Sequence, residues 1–141
     1  MNSITKVLTA TDTGANGGHQ AGSLIPKDKD ILAFFPSLDS TTLNPRAKIE
    51  VFDSELDELF ELNFIYYNGR KLGKPGKDEY RLTGMTRYLR LKNAQPGDEL
   101  WLTKKGSAIQ ISVKKSTENT DSGELKRKSV IRVSGQWKTA Y

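Results

Sequence analysis

The chain has 141 residues, enough for one hydrophobic core without covalent staples. It is 35% hydrophobic with two tryptophans, five tyrosines and five phenylalanines, which points to a folded globule, and its lack of cysteine excludes disulfides, thiolate metal sites and cysteine nucleophiles. Twenty-two lysines and arginines against 17 aspartates and glutamates leave a net charge of +5, a balance that suits a polyanionic partner.

The first residues, MNSITKVLTATDTG, carry no apolar core of signal-peptide length, and no run is long enough to cross a bilayer. The expectation is a soluble cytoplasmic protein with no membrane partner. The stretch Thr9 to Pro26, TATDTGANGGHQAGSLIP, lies between the apolar pairs Val7-Leu8 and Leu24-Ile25 and holds Gly14, Gly17, Gly18, Gly22 and the only histidine, His19. It is predicted as a long, polar-tipped connection between strands. Its glycines allow close backbone approach to a partner and convergence of N–H groups on a phosphate, although an ordinary surface loop has the same composition.

Residues Pro26 to Pro36 predict a short helix capped by Asp28 or Asp30, with Ile31, Leu32, Phe34 and Phe35 on its apolar side. Ser37 to Pro45 is turn-rich. Ala47 to Asp53 alternates as a half-buried strand, and after an acidic turn a second strand is predicted from about Leu59 to Tyr67, ended by Asn68-Gly69. The segment NGRKLGKPGKDEYR is glycine-rich and basic, a second long arm between the strand-like FIYY and YRLT. A short helix over Thr86 to Lys92 follows, then a turn at Pro96-Gly97-Asp98. Strands over Glu99 to Thr103 and Ala108 to Lys114 are joined by a hairpin turn at Lys104 to Ser107. Ser116 to Lys128 is predicted as a polar connection and Ser129 to Ser134 as the last strand. About seven short strands with two short helices predict a mainly β barrel or pseudobarrel in a single domain over residues 1–141.

Charge is segregated along this chain. Glu50, Asp53, Glu55, Asp57, Glu58 and Glu61 fall in one base-free run, and Arg70, Lys71, Lys74, Lys77, Arg81, Arg87, Arg90 and Lys92 follow with only Asp78 and Glu79 among them. This predicts one face for an anion and another turned away from it. Two long polar loops on one barrel can enter a duplex groove from two sides. In that reading Arg70, Lys71, Lys74, Lys77 and Arg81 neutralise phosphates, and an arginine can also hold guanine O6 and N7. Asn16, Gln20 and Asn68 suit adenine or backbone contacts, and Glu79 can accept from cytosine N4. His19 donates to a base edge or phosphate, and without a second histidine or a cysteine no metal site is expected.

The runs TDTGANGGHQAGSLIP, FIYYNGRKLGK and EYRLT resemble, in that order, the N-terminal effector DNA-binding domain of EcoRII-type restriction endonucleases. The likeness covers Thr11 to Pro26 and Ile65 to Thr83. It implies a B3-like DNA-binding pseudobarrel whose two recognition arms grip the major groove, a CCWGG site, and fusion to a separate nuclease domain. It also implies DNA contacts at His19, Arg70, Lys74, Glu79 and Arg81. The chain departs from the family at Leu24, which replaces an aromatic, at the inserted Pro75-Gly76, and at Tyr80, which aligns with a lysine; these bear on the base pattern and on Lys77 and Tyr80. The expectation is a monomer that binds double-stranded DNA without a cofactor and carries no catalytic residue.

Two enzymatic readings compete. Asp12-Thr13-Gly14-Ala15 spells the turn of retroviral-type aspartic proteases, in which two chains share a proton between aspartates, but Thr9-Ala10-Thr11 is not the apolar strand that precedes it there. Glu124-Leu125-Lys126 matches the end of a metal-nuclease motif, but lacks the preceding Pro-Asp strand.

Overall fold

The alternating segments fold as strands in a computed structural model, which describes residues 2–14, 22–70, 73, 78–116 and 136–140. The described elements are β1 (Asn2–Val7), α1 (Ala10–Thr13), β2 (Ser23–Ile25), α2 (Lys29–Leu32), β3 (Arg46–Asp53), β4 (Glu58–Tyr67), β5 (Glu79–Thr83), α3 (Thr86–Leu91), β6 (Glu99–Lys105), β7 (Ala108–Lys114) and β8 (Lys138–Ala140). All eight strands join one sheet in the order β2-β5-β4-β3-β7-β6-β1-β8. Its ladders are antiparallel except for the β3·β7 junction, where Phe52 lies opposite Gln110 in a parallel pairing.

Period-2 patterning decides which face of each strand is covered. Ile49 and Val51 lie opposite Leu62 and Phe60, and these meet Ile4, Leu82, Leu100, Leu102 and Ile111 in one buried cluster. Full burial of a side chain such as Phe64 or Leu82 contributes about 1.5–3 kcal/mol. The predicted helix at residues 26–36 closes on the core as the single turn α2. Asp28 caps it by accepting from the Asp30 and Ile31 amides at 2.9 and 3.1 Å, and Phe34 and Phe35 turn inward just beyond it. Phe35, Phe64, Tyr80 and Tyr66 then stack in a continuous row, with centroids 4.4, 5.5 and 4.2 Å apart.

The structure departs from the sequence reading in several places. Helix α1 was not expected, because a four-residue turn leaves no helical periodicity. Strand β6 runs on through Lys105, so the hairpin turn shrinks to Gly106-Ser107, with Gly106 at φ +63. The strand expected to end at Val7-Leu8 forms as β1 and starts at Asn2, whereas β8, which pairs with it through Ile4 and Thr139, was not assigned from the sequence. The expected connection beyond Ser116 and the strand at Ser129 to Ser134 lie outside the described residues.

The expected separation of charge holds only in part. Arg87 pairs with Glu58 at 2.6 Å, and Lys92 pairs with Asp53 at 3.0 Å and with Glu55, so two bases of the basic run turn back onto three acids of the acidic run. The remaining separation comes from β4. Its ten residues span about 30 Å and put the acidic turn and the second arm at opposite ends.

Two buried carboxylates hold turns together. Asp53 accepts from the Tyr88 hydroxyl at 2.5 Å and the Leu56 amide at 2.9 Å. Asp98 accepts from the Gln95 and Ser116 amides at 2.9 and 3.0 Å and from Lys115 Nζ at 3.2 Å. Burial by itself raises both carboxyls, but these hydrogen bonds and the neighbouring lysines outweigh it and hold both below the usual aspartate value. A depressed folded value means that stability is present above the unfolded pKa, near 3.9, and is lost as pH falls through the folded one. The urea midpoint is therefore expected to be level from pH 7 to about 5 and to drop below about pH 4, less steeply in Asp98→Asn. A level midpoint down to pH 3 would contradict this.

Candidate nucleic-acid interface

Strand β5 carries the centre of the site. Alternation along EYRLT points Tyr80 and Leu82 into the core, where Leu82 is fully buried, and leaves Glu79, Arg81 and Thr83 on the outer face. On that face Arg81 Nε donates to Glu79 Oε2 at 2.6 Å, and Arg81 Nη1 donates to the Gly22 carbonyl at 3.1 Å. Both charged side chains stay about a quarter exposed, at 26% and 28%. Leu24 lies directly opposite Arg81 across the ladder and is half exposed.

The β2·β5 ladder also sets the geometry of the two arms. Ser23 pairs with Leu82 and Ile25 with Tyr80, so the first arm enters β2 at one end of β5 and the second enters β5 at the other. Ser23 lies opposite Leu82, three residues along β5 from Glu79, so these roots are separated by roughly 10 Å, on the scale of the ~12 Å major groove. Arg81 joins them, since it sits on the strand that follows the second arm and holds the carbonyl that ends the first.

Of the residues expected to contact DNA, Asn16, His19, Gln20, Lys71, Lys74 and Lys77 lie outside the described residues. Arg70 is exposed in the turn after β4, and Glu79 and Arg81 share the outer face. Tyr80 does not join them: its ring stacks on Tyr66 and Phe64 on the core side of β5. Asn68 is corrected outright. It is fully buried, its Oδ1 accepts from the Asn44 amide at 2.8 Å, and its Nδ2 donates to the Ser40 and Thr42 carbonyls at 3.1 and 2.8 Å. An amide so buried, with both its Nδ2 protons donated to the loop before β3, staples that loop and is out of reach of a base. Asp12 is likewise engaged. It forms a capping box with Thr9 in α1, and both its oxygens accept from Lys6 Nζ, at 2.8 and 2.6 Å. A carboxylate so paired does not suit the shared-proton dyad of an aspartic protease.

Sequence reasoning missed Lys6 and Ser23, which meet at the start of β2 with Nζ and Oγ 3.1 Å apart. A signal was present: alternation from Ile4 through Lys6 to Leu8 puts a lysine on the inward face, and a buried ammonium must have partners.

This architecture, an eight-stranded half-barrel with an arm root at each end of one short ladder, is that of a B3-like pseudobarrel. It is similar to Arabidopsis FUS3 in a complex with DNA, with a TM-score of 0.59 and 17% identity over 79% of this chain and 94% of that one. It is also similar to the B3 domain of the UbaLAI restriction endonuclease with cognate DNA, with a TM-score of 0.57 and 19% identity over 98% and 85%. Residues 2–95 match the family described as restriction endonuclease EcoRII, N-terminal, and the chain belongs to that family. The type II restriction enzyme EcoRII of Escherichia coli is 42% identical over 80 residues, which make up 55% of this chain and 19% of the enzyme. The chain thus spans about a fifth of that relative's length.

Proposed function

We propose that this chain binds double-stranded DNA sequence-specifically through the major groove, as the target-recognition domain of a restriction endonuclease whose cutting is done by a separate nuclease domain. Residues 1–141 act as one monomeric module without a cofactor. The observation that carries this reading is the outward Glu79–Arg81 pair between two arm roots in a chain of the EcoRII N-terminal family. Arginine is the residue type that grips guanine, and a carboxylate beside it is unfavourable for plain phosphate binding but suits cytosine N4. Arg70, Lys71, Lys74 and Lys77 supply phosphate contacts along the second arm, and Asn16, His19 and Gln20 supply polar contacts from the first.

The expected site is CCWGG, as the likeness to EcoRII suggests. Selection of bound duplexes from a random pool at two salt concentrations tests it. One sequence should be enriched at both, and a pool that stays random would refute sequence-specific binding. Side chains separate further. Lys74→Ala should weaken all duplexes and lower the salt slope by about one, whereas Arg81→Ala should cost about 1–3 kcal/mol and blur one base pair. Glu79→Ala should cost a similar amount, and because it releases Arg81 the double variant should lose less than the sum. Equal losses for every duplex in all three variants would leave phosphate contacts alone.

A further inference from the structure

Lys6 brings a charge to the inward face of β1, between Ile4 and Leu8, and is itself only 5% exposed. Its three ammonium protons are all used: Nζ donates to Asp12 Oδ1 at 2.8 Å, to Asp12 Oδ2 at 2.6 Å and to Ser23 Oγ at 3.1 Å. Asp12 Oδ2 also accepts from the Thr9 amide at 2.9 Å, and Ser23 Oγ also accepts from Trp137 Nε1 at 3.1 Å. Asp12 stands just before the stretch that carries Asn16, His19 and Gln20, and Ser23 just after it. One buried ammonium therefore holds both feet of that stretch.

We propose that Lys6 is a positioning residue for the first arm, clasping Asp12 and Ser23 so that the feet are spaced for groove entry before DNA arrives. Fixing the ends of a loop removes part of the ordering cost that binding would otherwise bear, so the gain falls on the specific complex, in which the arm must take one geometry. Non-specific binding needs only mobile phosphate contacts and gains little. An apolar residue at position 6 would serve the core as well or better, since buried ion pairs are often no more stabilising than their apolar replacements. A clasp that joins three separate chain segments fixes geometry in a way that an apolar contact cannot. The inference rests on the DNA-binding reading above.

The test compares wild type, Lys6→Met and Lys6→Arg by fluorescence anisotropy against the selected duplex and a scrambled one at one salt concentration. Lys6→Met should lose tenfold or more for the selected duplex and less than twofold for the scrambled one, and Lys6→Arg should recover most of the loss. If Asp12, buried without its lysine, prevents folding, Lys6→Met/Asp12→Asn removes both charges together and is held to the same criteria. A folded variant with an unchanged ratio between the two duplexes overturns the proposal. Hydrogen exchange without DNA provides an independent arm: the amides of residues 12–14 and 23–25 should exchange at least tenfold faster in the methionine variant while those of β6 and β7 stay unchanged. Failure of the wild type to bind any duplex would refute the proposed function instead, and unchanged exchange at those amides would then overturn the clasp itself.

Discussion

Asp53→Ala is expected to destabilise the domain by about 3–5 kcal/mol, the range for removing one partner of a buried charge pair. Asp53 ends β3 and is 1% exposed. Its removal strands three donors: the Leu56 amide, the hydroxyl of the fully buried Tyr88, and Lys92, whose side chain is 7% exposed. Lys92 keeps Glu55, but that carboxylate is largely exposed and screened, so it offsets little of the loss. Tyr88 has no escape through ionisation, because burial, the largest of the causes that push its phenol far above the usual tyrosine value, remains when Asp53 is gone. Tyr88→Phe is the contrast: it removes one donor and leaves Asp53 with Lys92 and Leu56, at about 1 kcal/mol. Urea denaturation measures both. A loss below about 1 kcal/mol in Asp53→Ala with an unchanged slope would show that the turn reorganises to satisfy these donors. The cluster lies near the acidic end of β4, so the folded variant should bind a selected duplex as wild type does.

The scaffold was legible wherever a strand had one dry face. Ile49-Val51, Leu100-Leu102 and Ile109-Ile111 alternate over enough residues for period 2 to stand out, and their strands formed as expected. Period says nothing about an element too short to repeat, and this is why α1 and β8 were not assigned and β2 was expected only as the strand at Leu24-Ile25 that the first arm enters. It also fails for side chains whose role depends on distant segments. Asn68 carries a residue type suited to adenine and sits at the root of the basic arm, yet it is consumed by Asn44, Ser40 and Thr42, some 24 to 28 residues earlier in the chain. Tyr80 and Arg81 are neighbours in sequence but lie on opposite faces of β5. The pairing of Glu79 with Arg81 follows from period 2 within EYR, but the bond from Arg81 to Gly22 spans 59 residues and comes only from the β2·β5 register.

That register rests on one glycine, and Gly22→Ala is expected to cost about 3 kcal/mol or more. Gly22 has φ +90, where a residue with a Cβ is strained by about 1–3 kcal/mol. There is no space for the methyl group either: an added Cβ would lie 2.5 Å from Thr83 Cγ2 and 2.9 Å from the Leu82 carbonyl oxygen. Thr83 can rotate away, but the Leu82 oxygen is backbone, so β2 must lift from β5 or the ladder must shift. Either movement pulls the Gly22 carbonyl off Arg81 and separates the Leu24–Arg81 pair, which breaks the junction between the two arm roots. Stability and recognition should therefore fall together in this variant. Thr83→Ser in the Gly22→Ala background removes the clashing methyl and should restore only part of the stability, because the φ strain and the Leu82 contact remain. Full recovery in the double variant, read as a wild-type urea midpoint, would mean that the threonine methyl was the whole obstacle and that β2 tolerates a side chain at its foot.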